Sequence, residues 1–279
     1  MMDDFAVFII SHNKPHNDTY ETLIKKCNYT GKWYFVLDDK DKCIEEYQKL
    51  YGVDKVKIFS KPEVEKRLDM MDNFDFDKVI IYARNACFDI ARELGITYFM
   101  ELDDDYDSFR YRFPHEPSCP VTNMDQIMEL YVDYYKKHPQ ISMLAFCQGS
   151  DLSAVAEGKV LRKCMNSMIC SVDRPVQFNG RINEDVNTYT RYNQLGMLTL
   201  TFPNIQLNQA PTQTTGGMSE TYKLYGTYTK SFYSVIQCPS FVKISTFTKG
   251  FRMSKFRIHH KIDSKYGYAR LLSDKYKKQ

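Results

Sequence analysis

A chain of 279 residues, 43% hydrophobic and 14% aromatic, carries enough apolar material for a sizeable core in one large domain or two small ones. No run of about 18 apolar residues occurs, and the opening Met1-Met2-Asp3-Asp4 lacks the basic flank and small-residue cleavage site of a signal peptide. Nothing here points to a membrane span or to secretion, and a soluble globular protein of the cytoplasm with no membrane partner is expected.

The eight cysteines, at Cys27, Cys43, Cys87, Cys119, Cys147, Cys164, Cys170 and Cys238, form no C-x-x-C pair, so they read as reduced thiols and not as a zinc site. The net charge of +3 hides a polarity. Residues 243–279 hold eleven Lys/Arg against two Asp, or +9, which leaves −6 for the remainder. A basic C-terminal stretch suits an anionic partner such as nucleic acid or a nucleotide diphosphate, and it also serves solubility.

In the first hundred residues short apolar runs alternate with amphipathic stretches. Strands are expected over 5–10, 33–37, 56–59 and 98–102, and helices over 19–27, 43–51 and 79–94, the last ending at Gly95 as C-cap. This is an α/β pattern of the doubly wound kind, with a mainly parallel sheet. Further β structure is expected over 141–147, 161–172 and 197–202. Residues 203–219 are polar and turn-rich and read as a mobile loop placed to close over an acceptor. No repeat or linker divides the chain, so one catalytic domain is expected. It comprises a nucleotide-binding half over about 1–105, an acceptor-side half over about 106–242 and a basic extension over about 243–279.

Ligands of such sheets bind beyond the carboxyl ends of the strands. The residues there are Ser11, His12 and Asn13 after the first strand, Asp38 and Asp39 after the second, and Asp103, Asp104 and Asp105 after the fourth. Three consecutive carboxylates repel one another, and hard oxygen ligands select Mg²⁺ or Mn²⁺. An acidic surface turn is the plainer alternative. In Tyr82-Ala83-Arg84-Asn85, Arg84 and Asn85 open a helix and suit a phosphate or nucleotide, although such an arginine is more often an ion-pair partner. Asn179-Gly180-Arg181-Ile182-Asn183-Glu184-Asp185 delivers an acidic pair into a helix, either as a general base or as a first turn favoured by the helix dipole. His259 and His260 lie in the basic region, where a neutral imidazole is able to complete a metal shell or simply belong to a basic face. The sequence contains no P-loop, no dinucleotide fingerprint and no G-x-S-x-G.

Taken together, these elements resemble the GT-A glycosyltransferases. The resemblance implies a Rossmann-like sheet in which Ser11, His12 and Asn13 form the nucleotide-facing loop and Asp38 contacts base or ribose. Arg84 and Asn85 lie on the diphosphate side, and Asp104 faces ribose or sugar. Asp103 and Asp105 belong to the D-x-D metal motif, with His259 or His260 as the late metal ligand. Asp185, or less favourably Glu184, supplies the base.

More narrowly, Phe8-Ile9-Ile10-Ser11-His12-Asn13-Lys14-Pro15, Ala83-Arg84-Asn85-Ala86-Cys87-Phe88-Asp89 and Glu101-Leu102-Asp103-Asp104-Asp105-Tyr106 resemble the TET-associated glycosyltransferases of bacteriophages. That likeness implies a UDP-sugar donor, a hydroxymethylated pyrimidine in phage DNA as acceptor, and residence in the host cytoplasm. On this reading Arg252, Lys255, Arg257 and Lys261 hold acceptor phosphates, and a flipped base presents its hydroxymethyl group. The alternatives are a glycan or protein acceptor, a metal-dependent nuclease or phosphatase, and a non-catalytic nucleic-acid-binding module.

Overall fold

The computed structural model describes residues 2–151, 160–209, 228–240, 242–247 and 257–263. Its frame is one nine-stranded mixed sheet in the order β3-β2-β1-β4-β8-β7-β9-β5-β6. The N-terminal part is parallel: β1 (Phe5–Ile10) lies between β2 (Lys32–Asp38) and β4 (Tyr98–Leu102), with β3 (Val56–Phe59) outside β2. A strand buried on both faces needs no polar alternation. β1 accordingly reads Phe-Ala-Val-Phe-Ile-Ile, with all six residues buried. Phe5, Val7 and Ile9 point into one core and Ala6, Phe8 and Ile10 into the other.

Beyond β4 the direction changes. β8 (Met168–Ser171) runs antiparallel to both β4 and β7 (Ile141–Gln148). β9 (Leu198–Gln209) is parallel to β7, and β5 (Tyr106–Tyr111) runs antiparallel to β9 and to the short β6 (Cys119–Pro120).

The first core is closed by α1 (Asp18–Tyr20), which continues into a π-helical stretch (Glu21–Lys26), and by α2 (Ile44–Tyr51) and α5 (Met124–Lys137). α5 buries Met124, Ile127, Met128, Tyr131 and Tyr135, the one-sided stripe that a 3.6-residue period produces. The second core is closed by α3 (Lys61–Glu65), α4 (Ile81–Glu93) and α6 (Glu184–Gln194). A last helix, α7 (Tyr228–Gln237), packs against α6 and against a separate hairpin of β10 (Val242–Phe247) and β11 (Arg257–Ile262).

Three expectations are corrected. The segment 161–172 is not continuous β structure: only Met168–Ser171 is a strand, and Leu161 makes a single bridge to Thr201. A left-handed Asn166 breaks the run between them. Residues 203–209 are not loop but the continuation of β9, because Gln206 and Asn208 find hydrogen-bond partners within the sheet; residues 210–219 lie outside the described residues. The helix expected over 19–27 is a single α-turn followed by the π-helical stretch. No described helix is long and apolar enough to cross a membrane, and all eight cysteines are free.

Candidate active site

The carboxyl ends of β1, β2 and β4 lie side by side because these strands are parallel neighbours, and the residues that follow them meet. Ser11 Oγ donates to Asp104 Oδ2 (2.5 Å) and lies 2.7 Å from the Tyr47 hydroxyl. Lys14 Nζ donates to the Asp104 carbonyl (3.1 Å) and to Asp18 (2.7 Å). His12 Nδ1 sits 2.6 Å from Asp38 Oδ2, and Lys61 Nζ lies 3.5 Å from the other Asp38 oxygen. The hydrogen bond to Asp38 holds the His12 imidazolium above its usual range. Burial raises Asp38, but the His12 hydrogen bond and the Lys61 charge outweigh it and leave that carboxyl low and ionised. Asn13 adopts a left-handed backbone, and its N–H donates to Asp41 Oδ2 (2.8 Å).

Thr19 fixes the triplet from beneath. Its hydroxyl donates to the Asp103 carbonyl (2.6 Å) and accepts from the Tyr106 N–H (2.9 Å). Thr19→Val keeps the shape and strands both backbone groups, so a loss of about 1–3 kcal/mol is expected. Thermal denaturation of the variant measures it.

Behind the triplet lies Arg84, 1% exposed. Its guanidinium donates to Glu184 Oε1 (3.0 Å), Glu101 Oε2 (3.3 Å) and Asp103 Oδ1 (3.0 Å). One cation thus ties β4, the triplet and the start of α6 together, an internal role and not the diphosphate contact expected for it. Asn85 departs from expectation in the same way. Its amide donates to the Ile81 and Phe178 carbonyls and accepts from the Phe178 N–H, which spends it on positioning the chain that leads into α6.

That chain turns through Gly180, at φ +83°, where a Cβ would meet Asn187 Nδ2 at 2.5 Å. It then passes through a left-handed Asn183 into Glu184 and Asp185. Glu184 is committed to Arg84. Asp185 accepts from the Val186 N–H (2.7 Å), and burial, followed by the Glu184 charge, pushes its carboxyl up to about 6. Burial raises the triplet as well, with Asp103 reaching about 7, and Asp104 and Asp105 rise in the same direction. Glu101, wholly enclosed, rises to about 8, and its Oε1 has no hydrogen-bond partner.

Six carboxylates thus share a site with one buried arginine and Lys14, an excess of negative charge that favours protons or a cation. Asp103 keeps 20% of its side-chain exposure, and the Asp105 carboxylate makes no hydrogen bond to another described residue. Hard oxygen donors with spare lone pairs fit Mg²⁺ or Mn²⁺. Among the described residues no three His, Cys, Asp or Glu side chains converge as a ready-made metal cluster. Mg²⁺ commonly takes one or two carboxylates and completes its shell with substrate phosphates.

The β10–β11 hairpin carries His260 to within 3.5 Å of Asn183 Nδ2, next to the acidic pair. Burial, with His259 and Lys230 nearby, pushes His260 down to about 3, so its imidazole is neutral. His259 Nδ1 lies 2.9 Å from the His260 carbonyl. Lys261 is exposed on β11 opposite Lys243. Arg257 lies on the same strand, and Arg252 and Lys255 lie outside the described residues. The structure adds Lys14, Thr19, Tyr47, Lys61 and Glu101 to the site. Lys14 and Glu101 stood within the quoted sequence motifs, whereas Thr19, Tyr47 and Lys61 emerge only from packing.

Parallel strands that converge on an acidic triplet, with an acidic pair opening a helix beside it, make up the site of a glycosyltransferase. The chain belongs to the TET-associated glycosyltransferase family, whose profile matches residues 5–218. Among solved structures a mycobacterial protein is similar in fold, at a TM-score of 0.51 and 8% identity over 91% of this chain and 82% of that one. GalNAc-T7 solved with UDP, GalNAc and Mn²⁺ gives 0.44 at 12% identity, over 74% of this chain and 43% of that one. Glucosyl-3-phosphoglycerate synthase of Mycobacterium tuberculosis, solved with Mg²⁺ and UDP, gives 0.43 at 12% identity, over 92% and 87%. A search of curated proteins gives no match.

Proposed function

We infer that this glycosyltransferase moves a sugar from a UDP-sugar to the hydroxyl of 5-hydroxymethylcytosine in phage DNA, with inversion at the anomeric carbon. The observation that carries the reading is Asp185, buried, held up to about 6 and adjoining the Arg84 network that also grips the triplet. The acceptor is favoured by the TET association in the family's name and by the +9 charge of residues 243–279. Cytoplasmic DNA within an infected cell is the corresponding setting.

Asp103 and Asp105, with His260 or His259 as a further ligand, are the residues to hold Mn²⁺ or Mg²⁺. The ion supplies positive charge against the diphosphate as it leaves. Ser11, His12, Asn13 and Asp38 orient the nucleotide, and Asp104, fixed by Ser11 and Lys14, faces ribose or sugar. Asp185 takes the hydroxymethyl proton as the acceptor oxygen bonds to the anomeric carbon. The bond from that carbon to the β-phosphate oxygen breaks on the opposite side, and UDP departs. Glu184 is the weaker base because Arg84 already engages it.

The test is UDP release from a panel of nucleotide sugars, with Mn²⁺ or chelator, and with or without hydroxymethylcytosine DNA. Metal-dependent release stimulated by that DNA is expected. Release indifferent to the DNA would transfer the reading to a glycan or protein acceptor.

A second consequence concerns stability. Burial favours the protonated forms of Asp103 and Asp105, so protons compete with the ion. Mn²⁺ is therefore expected to raise the melting temperature clearly at pH 8 and little at pH 5. An equal rise at both values would contradict the assignment of these ligands.

A further inference from the structure

β5 and β9 pair with Ser108 opposite Asn208, Phe109 opposite Leu207 and Arg110 opposite Gln206. Alternation along the strands sends Phe109 and Leu207 into the first core, and their neighbours to the other face. β7 identifies that face. Met143 and Ala145 pack in the second core, Cys147 continues their alternation, and Gln206 lies beside Cys147 in the β7–β9 register. The polar face of β5 and β9 is therefore on the side of the sheet that carries α6 and Asp185.

On it the side chains form a continuous row. Asn208 Nδ2 donates to Ser108 Oγ (3.0 Å), Gln206 Nε2 to Asn208 Oδ1, and Arg112 Nε to Gln206 Oε1 (2.5 Å). Arg110 donates to the Ser118 hydroxyl (3.0 Å) and carbonyl (2.9 Å). Both guanidinium groups are thus steadied by neutral acceptors, and neither is ion-paired with a carboxylate among the described residues. Asp151, which like Arg112 lies near Cys147, is already bound to Lys163 (2.6 Å). A guanidinium oriented in this way keeps its full charge and N–H donors for a phosphate.

β5 starts directly after the acidic triplet, and at about 3.4 Å per residue Arg112 stands roughly 20 Å along the strand from Tyr106.

We propose that this row is the track of the acceptor strand: Arg110 and Arg112 hold its phosphates as the strand leads to Asp185. The inference rests on the nucleic-acid acceptor proposed above and moves the principal phosphate-binding role from the C-terminal basic residues to β5 and β9. Recognition of a single strand through its phosphates is sequence-tolerant and salt-sensitive.

The experiment compares the full chain with its Arg110→Gln/Arg112→Gln and Arg110→Lys/Arg112→Lys forms. It measures binding of a labelled single-stranded oligonucleotide carrying 5-hydroxymethylcytosine over a series of salt concentrations, and UDP binding in Mn²⁺ as a control. The Gln pair should bind the oligonucleotide more weakly, with a log–log salt slope smaller by about 1.4, or about 0.7 for each phosphate no longer neutralised. The Lys pair should restore most of the slope, and UDP binding should hold in both. The single Arg112→Gln form, altered just past the end of the strand, should lower the slope by about half as much. An unchanged slope in the Gln pair, with tight binding by the parent, would overturn the track and leave the DNA acceptor standing. Failure of the parent to bind the oligonucleotide would overturn both.

Discussion

Asp185→Asn is expected to lower sugar transfer by about 10²–10⁴-fold, the usual worth of a positioned general base, while UDP still binds. The substitution preserves volume and the hydrogen bond from the Val186 N–H, so folding is not the variable. Only the ionised carboxylate accepts the acceptor's proton, and burial together with Glu184 raises its pKa to about 6. The parent's rate should therefore climb as pH rises through about 6 and level off above it. The acid limb attributable to this group should vanish in the variant. Glu184→Gln, which removes the adjoining negative charge, should move the limb to lower pH. Initial rates against pH for the three proteins decide the assignment, and an unaltered rate in Asp185→Asn sinks it.

Arg84→Gln is the substitution with the largest expected effect on stability. Glu101, Asp103 and Glu184 all point at this one cation, and breaking a buried ion network by deleting one partner costs about 3–5 kcal/mol. The loss should depend on pH. The folded-state values of Glu101 and Asp103, about 8 and 7, lie above their unfolded values of 4.5 and 3.8. Each group's stabilising contribution is therefore complete below about pH 4 and is lost as pH rises through 7 to 8. Without Arg84 the charged forms become still less favourable, so the variant should approach the parent at pH 5 and fall furthest behind at pH 8. Urea denaturation at the two values measures this. A difference that does not vary with pH would mean that Arg84 is not what holds these carboxylates charged.

The N-terminal, parallel part of the fold was legible because its signals are local. β1 is an unbroken apolar run, β3 and β4 are mainly apolar with one charged residue each, Lys57 and Glu101, and the Gly95 turn ends the helix before β4. The acidic triplet and the acidic pair stood out for the same reason, since like charges in sequence are visible without a fold. Arg84 and Asn85 were conspicuous, but their roles were not. An arginine that faces a phosphate and one that binds three carboxylates look alike until Glu101, Asp103 and Glu184, separated by up to 100 residues from Arg84, are brought around it.

β9 was obscured past residue 202 because amides and a proline read as loop. Their strand conformation depends on partners in β5 and β7, which lie far away in the chain. Thr19 and Lys61 carried no signal at all, because a buried hydroxyl under a turn or a buried lysine beside Asp38 is a product of packing.

The most direct measurement is the mass of a 5-hydroxymethylcytosine oligonucleotide after incubation with the protein, UDP-glucose and Mn²⁺. The account predicts a gain of one hexose on the modified nucleoside, none on an oligonucleotide with ordinary cytosine, and none after chelation. UDP release in Mn²⁺ with no added mass on the hydroxymethylated DNA would contradict it.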